Sequence, residues 1–465
     1  MKDIKFEREL KVLLNEIRSY GIEHTQYGQN INDILENKNL HIEFYINVHK
    51  GFYLAQKRCI LLLKQILLEK KRYKKDLKII RQERNQEKSK ELVDKIYKVQ
   101  YQEYSLRKAM DAIAWQLFGY DLSRMRRLYY GQELIDITDS NLDSEIYYVD
   151  NHMSKKPEDF VLISDLTSFI QIGDMVIMQP DSGLSLVELK EGEINSKVLG
   201  MLNEFTRVDC PYYLSQRLEN ESPKFKEQFM RDIKQLKRSY QVMDTLNKGE
   251  GEDLASGMKV KLYDEEIVLQ TYSDVVEKLL NECDKKGYAI SVIEGCLLVG
   301  VYKNGRFPSE VFNIWAKSLE IEMPIVDLRQ SMYDPLAYPI YLQPFSDKHI
   351  IDIILGNKIV KFTIDIEKWL QTLKKENIDY RWMSKKETAR ANGKLKGKMG
   401  IFDLNGKGIE LRSKNGMIQH LGSGVFSRMF TSLNTPSAIK KYLIEVFNKT
   451  DEIEIQSNED KETKA

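Results

Sequence analysis

From about Lys2 to Phe118 the apolar residues recur at helical spacing, as in "FERELKVLLNEI", "FYLAQKRCILLLKQILLEKKRYKKDLKII" and "YSLRKAMDAIAWQLFG". No proline interrupts this region, so the pattern predicts long, unbroken helices. After Gly119 the texture changes. "DFVLISDLTSFI", "IGDMVIM" and "LSLVELK" alternate like strands, with "QPDSG" as the turn between the last two. A second helical stretch follows, "SPKFKEQFMRDIKQLKRSYQVMDTLN", opened by Ser222 as N-cap and Pro223 in the first turn. Beyond the breaker "KGEGEDLASG" come "EEIVLQTY", the helix "SDVVEKLLNECDKKG", and paired strands "YAISVIEGCLLVGVYK" turned at Glu294-Gly295. From Asn304 onward Asn304-Gly305, Asn405-Gly406 and Asn415-Gly416 mark further hairpins in a mixed segment. The closing "TDEIEIQSNEDKETKA" reads as a polar tail.

These textures divide the chain into a helical N-terminal region (1–100), a strand-and-helix domain (101–303), an α+β C-terminal domain (304–450) and a tail (451–465). The expected fold class is α+β or α/β. At 465 residues the chain is long enough for several packing units, and 42% hydrophobic with 30% charged residues describes a globular protein rather than a disordered one. A formal charge of +1 selects no partner, so a nucleic-acid surface has to come from local clustering. The four cysteines are far apart and form no CxxC, which suits a reducing, cytoplasmic setting. The N-terminus has no signal-peptide core, and the most apolar run, "CILLLKQILL", is broken by Lys64, so no membrane span is expected. The six histidines show no HExxH or HxH spacing, and "GIFDLNGKG" lacks the Ser or Thr of a P-loop.

Two acids in the central hairpin need an explanation. If Gln179 to Gly183 connects the strands, Met178 pairs with Leu184, Val176 with Leu186, and Asp174 faces Glu188 with Cβ atoms about 5 Å apart. A two-residue slip would set Asp174 opposite Lys190 instead, on the same face. Opposed carboxylates repel, and desolvation beside apolar strands worsens the conflict. A hard divalent cation between them removes it, and Mg²⁺ keeps waters that recruit phosphate oxygens. Lys190, on the same face as Glu188, then suits charge stabilisation or water activation in metal-assisted phosphodiester hydrolysis. The competing reading is an amphipathic hairpin with a cross-strand ion cluster.

Gly173-Asp174, thirteen further residues and then Glu188-Leu189-Lys190 resemble the active-site pattern of the PD-(D/E)xK nuclease superfamily, the restriction-endonuclease-like fold. The tripeptide alone means little, since Glu69-x-Lys71, Asp76-x-Lys78, Asp232-x-Lys234, Asp284-x-Lys286 and Glu459-x-Lys461 also match. The context of preceding strands carries the likeness. It implies an αβββαβ core between Tyr101 and about Lys303, with the last strand at "EEIVLQTY" or "AISVIEG". It further implies Asp174, Glu188 and the backbone carbonyl of Leu189 as metal ligands, Lys190 as the catalytic lysine, and Mg²⁺, or Mn²⁺ in its place, as cofactor. Gly173 replaces the family's usual Pro. Some members add an acid on the first helix, where Asp111 or Glu103 would serve, and a polar helper on the second, where Gln235 lies with Arg238 a turn later.

The resemblance thus implies an Mg²⁺-dependent endonuclease acting on DNA or RNA, in a bacterial defence or restriction setting, as a homo-oligomer or with a partner protein. The alternative is a non-enzymatic nucleic-acid-binding or assembly protein on the same fold. Asp165, Glu191 and Glu193 read as turn or rim residues near the site. Two basic stretches are candidate phosphate-contacting surfaces. One is "EKKRYKKDLKIIRQERNQEKSK", which reads first as a solvated helix face with i,i+4 pairs and second as a phosphate-contacting arm. The other is "YRWMSKKETARANGKLKGKMG", with Arg381, Lys385, Lys386, Arg390, Lys394, Lys396 and Lys398 beside Tyr380 and Trp382.

Overall fold

The computed structural model describes residues 4–25, 31–138, 142–180, 183–189, 197, 198, 200, 201, 211–219, 221–254, 257, 259–262, 269–304, 308–394, 400–414 and 416–447. Helices and small antiparallel sheets alternate, an α+β arrangement. The chain divides into two compact units, one of Ser19–Tyr263 and one joining Met1–Arg18 to Asp264–Ala465. These bounds differ from the expected 1–100, 101–303 and 304–450.

The helices at the start of the chain are α1 (Ile4–Arg18), α2 (Tyr20–His24), α3 (Ile31–Glu36), α4 (Lys38–Gln82) and α5 (Gln86–Leu117). α1 belongs to the second unit. Its Phe6, Leu10, Leu13, Leu14 and Ile17 are buried at helical spacing, and Arg18 donates to the Phe345 carbonyl at 3.1 Å and to Asp347 at 3.0 Å.

In the unit of Ser19–Tyr263, α4 and α5 form an antiparallel hairpin. Asn37 caps α4 through the amides of Asn39 and Leu40, and Asn85 caps α5 through that of Lys88. Arg84, with φ of 58°, makes the reversal between them. After α5 come α6 (Leu122–Met125), α7 (Leu142–Lys155), the strands β1 (Phe160–Ile163), β2 (Met175–Gln179) and β3 (Gly183–Val187), then α8 (Pro211–Glu219) and α9 (Pro223–Lys248). Ser222 caps α9 by accepting from the Phe225 amide at 3.2 Å, with Pro223 in the first turn, as the sequence indicates. The sheet order is β1-β2-β3, antiparallel throughout.

All four β1 residues are buried, although one backbone edge of β1 has no strand beside it among the described residues. The side chain of Gln56 on α4 fills that place. Its amide donates to the Val161 carbonyl at 3.0 Å and accepts from the Ile163 amide at 2.9 Å. One fully satisfied carboxamide therefore replaces a rung of ladder, which is why a polar residue 1% exposed is tolerated here.

The hairpin β4 (Glu250–Glu252) and β5 (Lys259–Lys261) is separate from this sheet. In the second unit follow α10 (Ser273–Lys286), β6 (Tyr288–Ile293), β7 (Leu297–Lys303), α11 (Pro308–Ser318), β8 (Val326–Asp327), α12 (Asp347–Ile354), β9 (Lys358–Ile364), α13 (Ile366–Lys374), β10 (Asp379–Trp382), α14 (Lys385–Lys394), β11 (Asp403–Leu404), β12 (Lys407–Arg412), β13 (Ile418–His420) and α15 (Gly424–Phe430). They carry a sheet of order β6-β7-β9-β8 and a smaller one built around β12. Two of the sequence-indicated turns here, Glu294-Gly295 and Asn405-Gly406, are formed with positive φ at both residues.

The expected sixth core element does not join β1-β2-β3 among the described residues. "AISVIEG" is β6, paired with β7 in the other unit. The first half of "EEIVLQTY" lies outside the described residues, and its Thr271 bridges Asn434. The terminal tail 451–465, Gly305 and Asn415 also lie outside them.

Candidate active site

The hairpin register follows from the alternation of side chains. Met178 pairs with Leu184, Val176 with Leu186 and Met175 with Val187. The ladder ends at that rung, in the unslipped register, and Asp174 and Glu188 are the next residues beyond it on either strand. Gly173 makes the approach possible. With φ of 72° it turns the chain into β2, and a Cβ there would meet the Val187 carbonyl oxygen at 3.3 Å. Where the family pattern has Pro, this chain needs the left-handed conformation that Gly alone adopts cheaply.

Asp174 is fixed at the junction of all three strands. Its amide donates to Val187 at 2.9 Å, its carbonyl accepts from Ser164 at 2.9 Å, and its Oδ2 accepts from the Leu189 amide at 2.6 Å. That last bond joins the carboxylate to the strand end that carries Glu188. Lys190, Glu191 and Glu193 lie outside the described residues.

Asp174 and Glu188 open on one cavity of about 230 Å³, whose lining also includes Asp165, Tyr130, Gln235 and Arg238. The sequence pattern treats Asp165 as a turn residue. It sits in the short 3-10 turn after β1, and no spacing rule connects that turn with the hairpin acids. Burial raises the Asp165 carboxyl above the usual carboxylate range, the neighbouring Asp174 charge raises it further, and the Arg107 guanidinium opposes both. The second helix, α9, supplies Gln235 and Arg238 to the same cavity. Burial pushes the Tyr130 hydroxyl up to about 12, so it keeps its proton at neutral pH.

The floor is held from α5. Arg107, wholly buried, donates Nη1 to the Asp165 carbonyl at 2.5 Å and Nη2 to the Ile135 carbonyl at 2.6 Å. Asp111, likewise buried, accepts from the Ser168 amide at 2.7 Å and hydroxyl at 2.5 Å, and pairs with Lys108 at 3.0 Å. Asp111 is absent from the described cavity lining, so its place is behind the wall, holding Ser168, which does line it. Glu103, the other first-helix acid, pairs with Lys70 at 2.5 Å and with Arg107 at 3.5 Å. Gln171 completes the rim, accepting from the Tyr130 and Gln132 amides and donating to the Gln132 carbonyl.

Among the described residues no three His, Cys, Asp or Glu side chains are grouped closely enough to chelate one ion by themselves. Two carboxylates on a cavity that also holds Asp165 are a hard-oxygen donor set. Mg²⁺, which takes one or two carboxylates and completes its shell with waters and phosphate oxygens, fits that set.

The C-terminal basic stretch is partly committed to protein contacts. Arg381 donates to both Glu410 oxygens at 2.9 and 2.7 Å and to Glu387 at 3.2 Å. The Tyr380 hydroxyl and the Trp382 indole N–H both bond Glu367, at 3.0 and 2.6 Å. Lys385, Lys386 and Arg390 are exposed on α14, while the Lys394 side chain, Lys396 and Lys398 lie outside what is described.

No family model matches this sequence, and no curated protein or solved structure matches it. No described helix is long and apolar enough to cross a membrane.

Proposed function

We propose that this chain is an Mg²⁺-dependent endonuclease that hydrolyses phosphodiester bonds in DNA. The observation that carries the reading is that Asp174 and Glu188, each next to the last rung of the β2–β3 hairpin, line one cavity together with Gln235 and Arg238. Asp174, Glu188 and the Leu189 carbonyl would hold the ion. When bound, the ion supplies charge stabilisation at the phosphate and lowers the pKa of a coordinated water. Asp174 fixes the end of β3 through the Leu189 amide and so sets where Glu188 stands. Arg238 and Gln235 orient the phosphate by charge-assisted and neutral hydrogen bonds. Lys190 takes the role the motif gives it, stabilising charge on the scissile phosphate or helping a water lose its proton.

The test is cleavage of duplex DNA, single-stranded DNA and RNA with Mg²⁺, Mn²⁺ or EDTA, using wild type and Asp174→Ala, Glu188→Ala and Lys190→Ala. Each substitution should lower cleavage by at least about a hundredfold, the scale of a lost catalytic group. Cleavage that survives all three, or ignores EDTA, refutes the assignment.

A further inference from the structure

α4 and α5 extend well beyond what the fold requires of them. α4 has 45 residues and α5 has 32, about 67 and 48 Å of helix. Burial is concentrated at one end, from His49 to Leu67 on α4 and from Val99 to Leu117 on α5. Between Leu68 and Lys98, across both helices and their turn, Leu77 alone is buried. This is an arm with almost no core of its own, and its composition is lopsided. From Glu69 to Lys98 there are twelve Lys and Arg against six Asp and Glu, in a chain whose formal charge is only +1.

Some of these cations are engaged, Lys70 with Glu103, Lys71 with Asp136 and Lys95 with Glu91. Lys74, Lys75, Lys78, Arg81, Arg84 and Lys90 are exposed and make no ion pair among the described residues. Like charges this close repel one another, and a helix gains nothing from them unless a polyanion neutralises them. The surface does not suit an acyl boundary, because its exposed apolar residues, Leu68, Ile79 and Tyr97, are interspersed with Arg72, Lys75 and Lys98.

The arm is also tied to the cavity by continuous helix. α5 runs from the basic tip to Arg107, which holds the Asp165 and Ile135 carbonyls, and to Asp111, which holds Ser168. Lys90 and Arg107 are about 26 Å apart along that helix. A polyanion gripped at the tip is therefore presented to the cavity by a rigid element of the same unit.

We propose that the α4–α5 arm is the surface that docks the phosphate backbone of duplex DNA. The choice of DNA rests on the nuclease reading; the charge and burial of the arm do not.

The experiment measures binding of the full chain to a fluorescent duplex of about 30 base pairs, in EDTA, at a series of salt concentrations between 50 and 200 mM. Three proteins are compared: wild type, the arm variant Lys74→Gln/Lys75→Gln/Lys78→Gln/Arg81→Gln, and the control Lys278→Gln/Lys285→Gln/Lys286→Gln on α10, three exposed lysines outside both basic stretches. Gln keeps helix propensity, and unchanged circular dichroism checks the fold. The arm variant should bind at least about tenfold more weakly, with a salt slope reduced by about 3, close to 0.9 per lost phosphate contact. The control should bind like wild type. The proposal is overturned if wild type fails to bind duplex DNA or binds anionic lipid vesicles more tightly. It is equally overturned if the arm variant keeps the wild-type affinity and slope, or if the control loses as much as the arm variant. Cleavage separates the two readings. Arm-dependent binding without metal-dependent cleavage sinks the nuclease assignment and leaves the arm; cleavage with arm-independent binding does the reverse.

Discussion

Replacing Asp111 by Ala separates a structural acid from a catalytic one. The carboxylate is wholly buried, pairs at 3.0 Å with a Lys108 side chain only 1% exposed, and accepts two hydrogen bonds from Ser168. Removing one member of a buried pair costs about 3 to 5 kcal/mol, because the other charge keeps its desolvation penalty. A buried donor left without an acceptor costs about 1 to 3 kcal/mol more, but the two losses share one relaxation and are not additive. Asp111→Ala should therefore destabilise the unit of Ser19–Tyr263 by about 4 kcal/mol. The apolar pair Lys108→Met/Asp111→Leu should cost about half as much, since no buried charge is stranded. Urea midpoints read by hydrogen exchange of peptides covering 160–178 measure both. Asp111→Asn keeps an acceptor for the Ser168 amide and should leave the Mg²⁺ concentration for half-maximal cleavage unchanged. A cost below about 1 kcal/mol for Asp111→Ala, a fraction of what a stranded buried charge requires, refutes the structural role. A shifted Mg²⁺ requirement in Asp111→Asn returns this residue to the metal site.

Gly173→Ala meets both a φ of 72° and the Val187 carbonyl at 3.3 Å, so it should cost about 1 to 2 kcal/mol and lower cleavage by displacing Asp174. Equal melting temperatures and cleavage rates for the two proteins contradict that. In the second unit burial pushes the Asp284 carboxyl up, but Lys348 at 2.6 Å, Lys358 at 2.8 Å and His349 at 3.4 Å outweigh it and hold the group far below the usual range. A folded-state pKa depressed in this way gives stability that is present above the unfolded value of about 4 and lost as pH falls toward the folded one. Asp284→Asn should flatten the acid side of the urea-midpoint curve between pH 2 and 5, and parallel curves for the two proteins refute this.

The hairpin was readable because strand alternation with an apolar face admits few registers. A slip that kept the faces had to move by two residues, and the short connection between the paired Gln179 and Gly183 selected one of them. The cap at Ser222 and the turn at Asn405-Gly406 were readable because their conformations depend on the residues themselves. What escaped sequence depends on which surfaces meet. The apolar stripe of α1 predicts a buried face but not which core buries it, and it packs in the unit containing α12. Arg381 reads as a phosphate contact until its cross-strand partner Glu410 is known. Asp165 reads as a turn residue until Arg107, fifty-eight positions away, fixes its carbonyl beside the cavity.

Arg107 and Asp111 also explain why the first helix has to be polar where it should be apolar. The segment from Ser164 to Ile172 between β1 and β2 is not strand, so its backbone groups have no ladder to satisfy them. Three are met from α5, the Asp165 and Thr167 carbonyls by Arg107 and the Ser168 amide by Asp111. Those buried charges are costly alone, and Glu103 and Lys108 lie one turn away on the same helix to neutralise them. An irregular wall is thus held rigid by a charged helix rather than by sheet. That is the support a cavity needs if Asp174 and Glu188 are to keep their positions while a multiply charged substrate arrives and leaves.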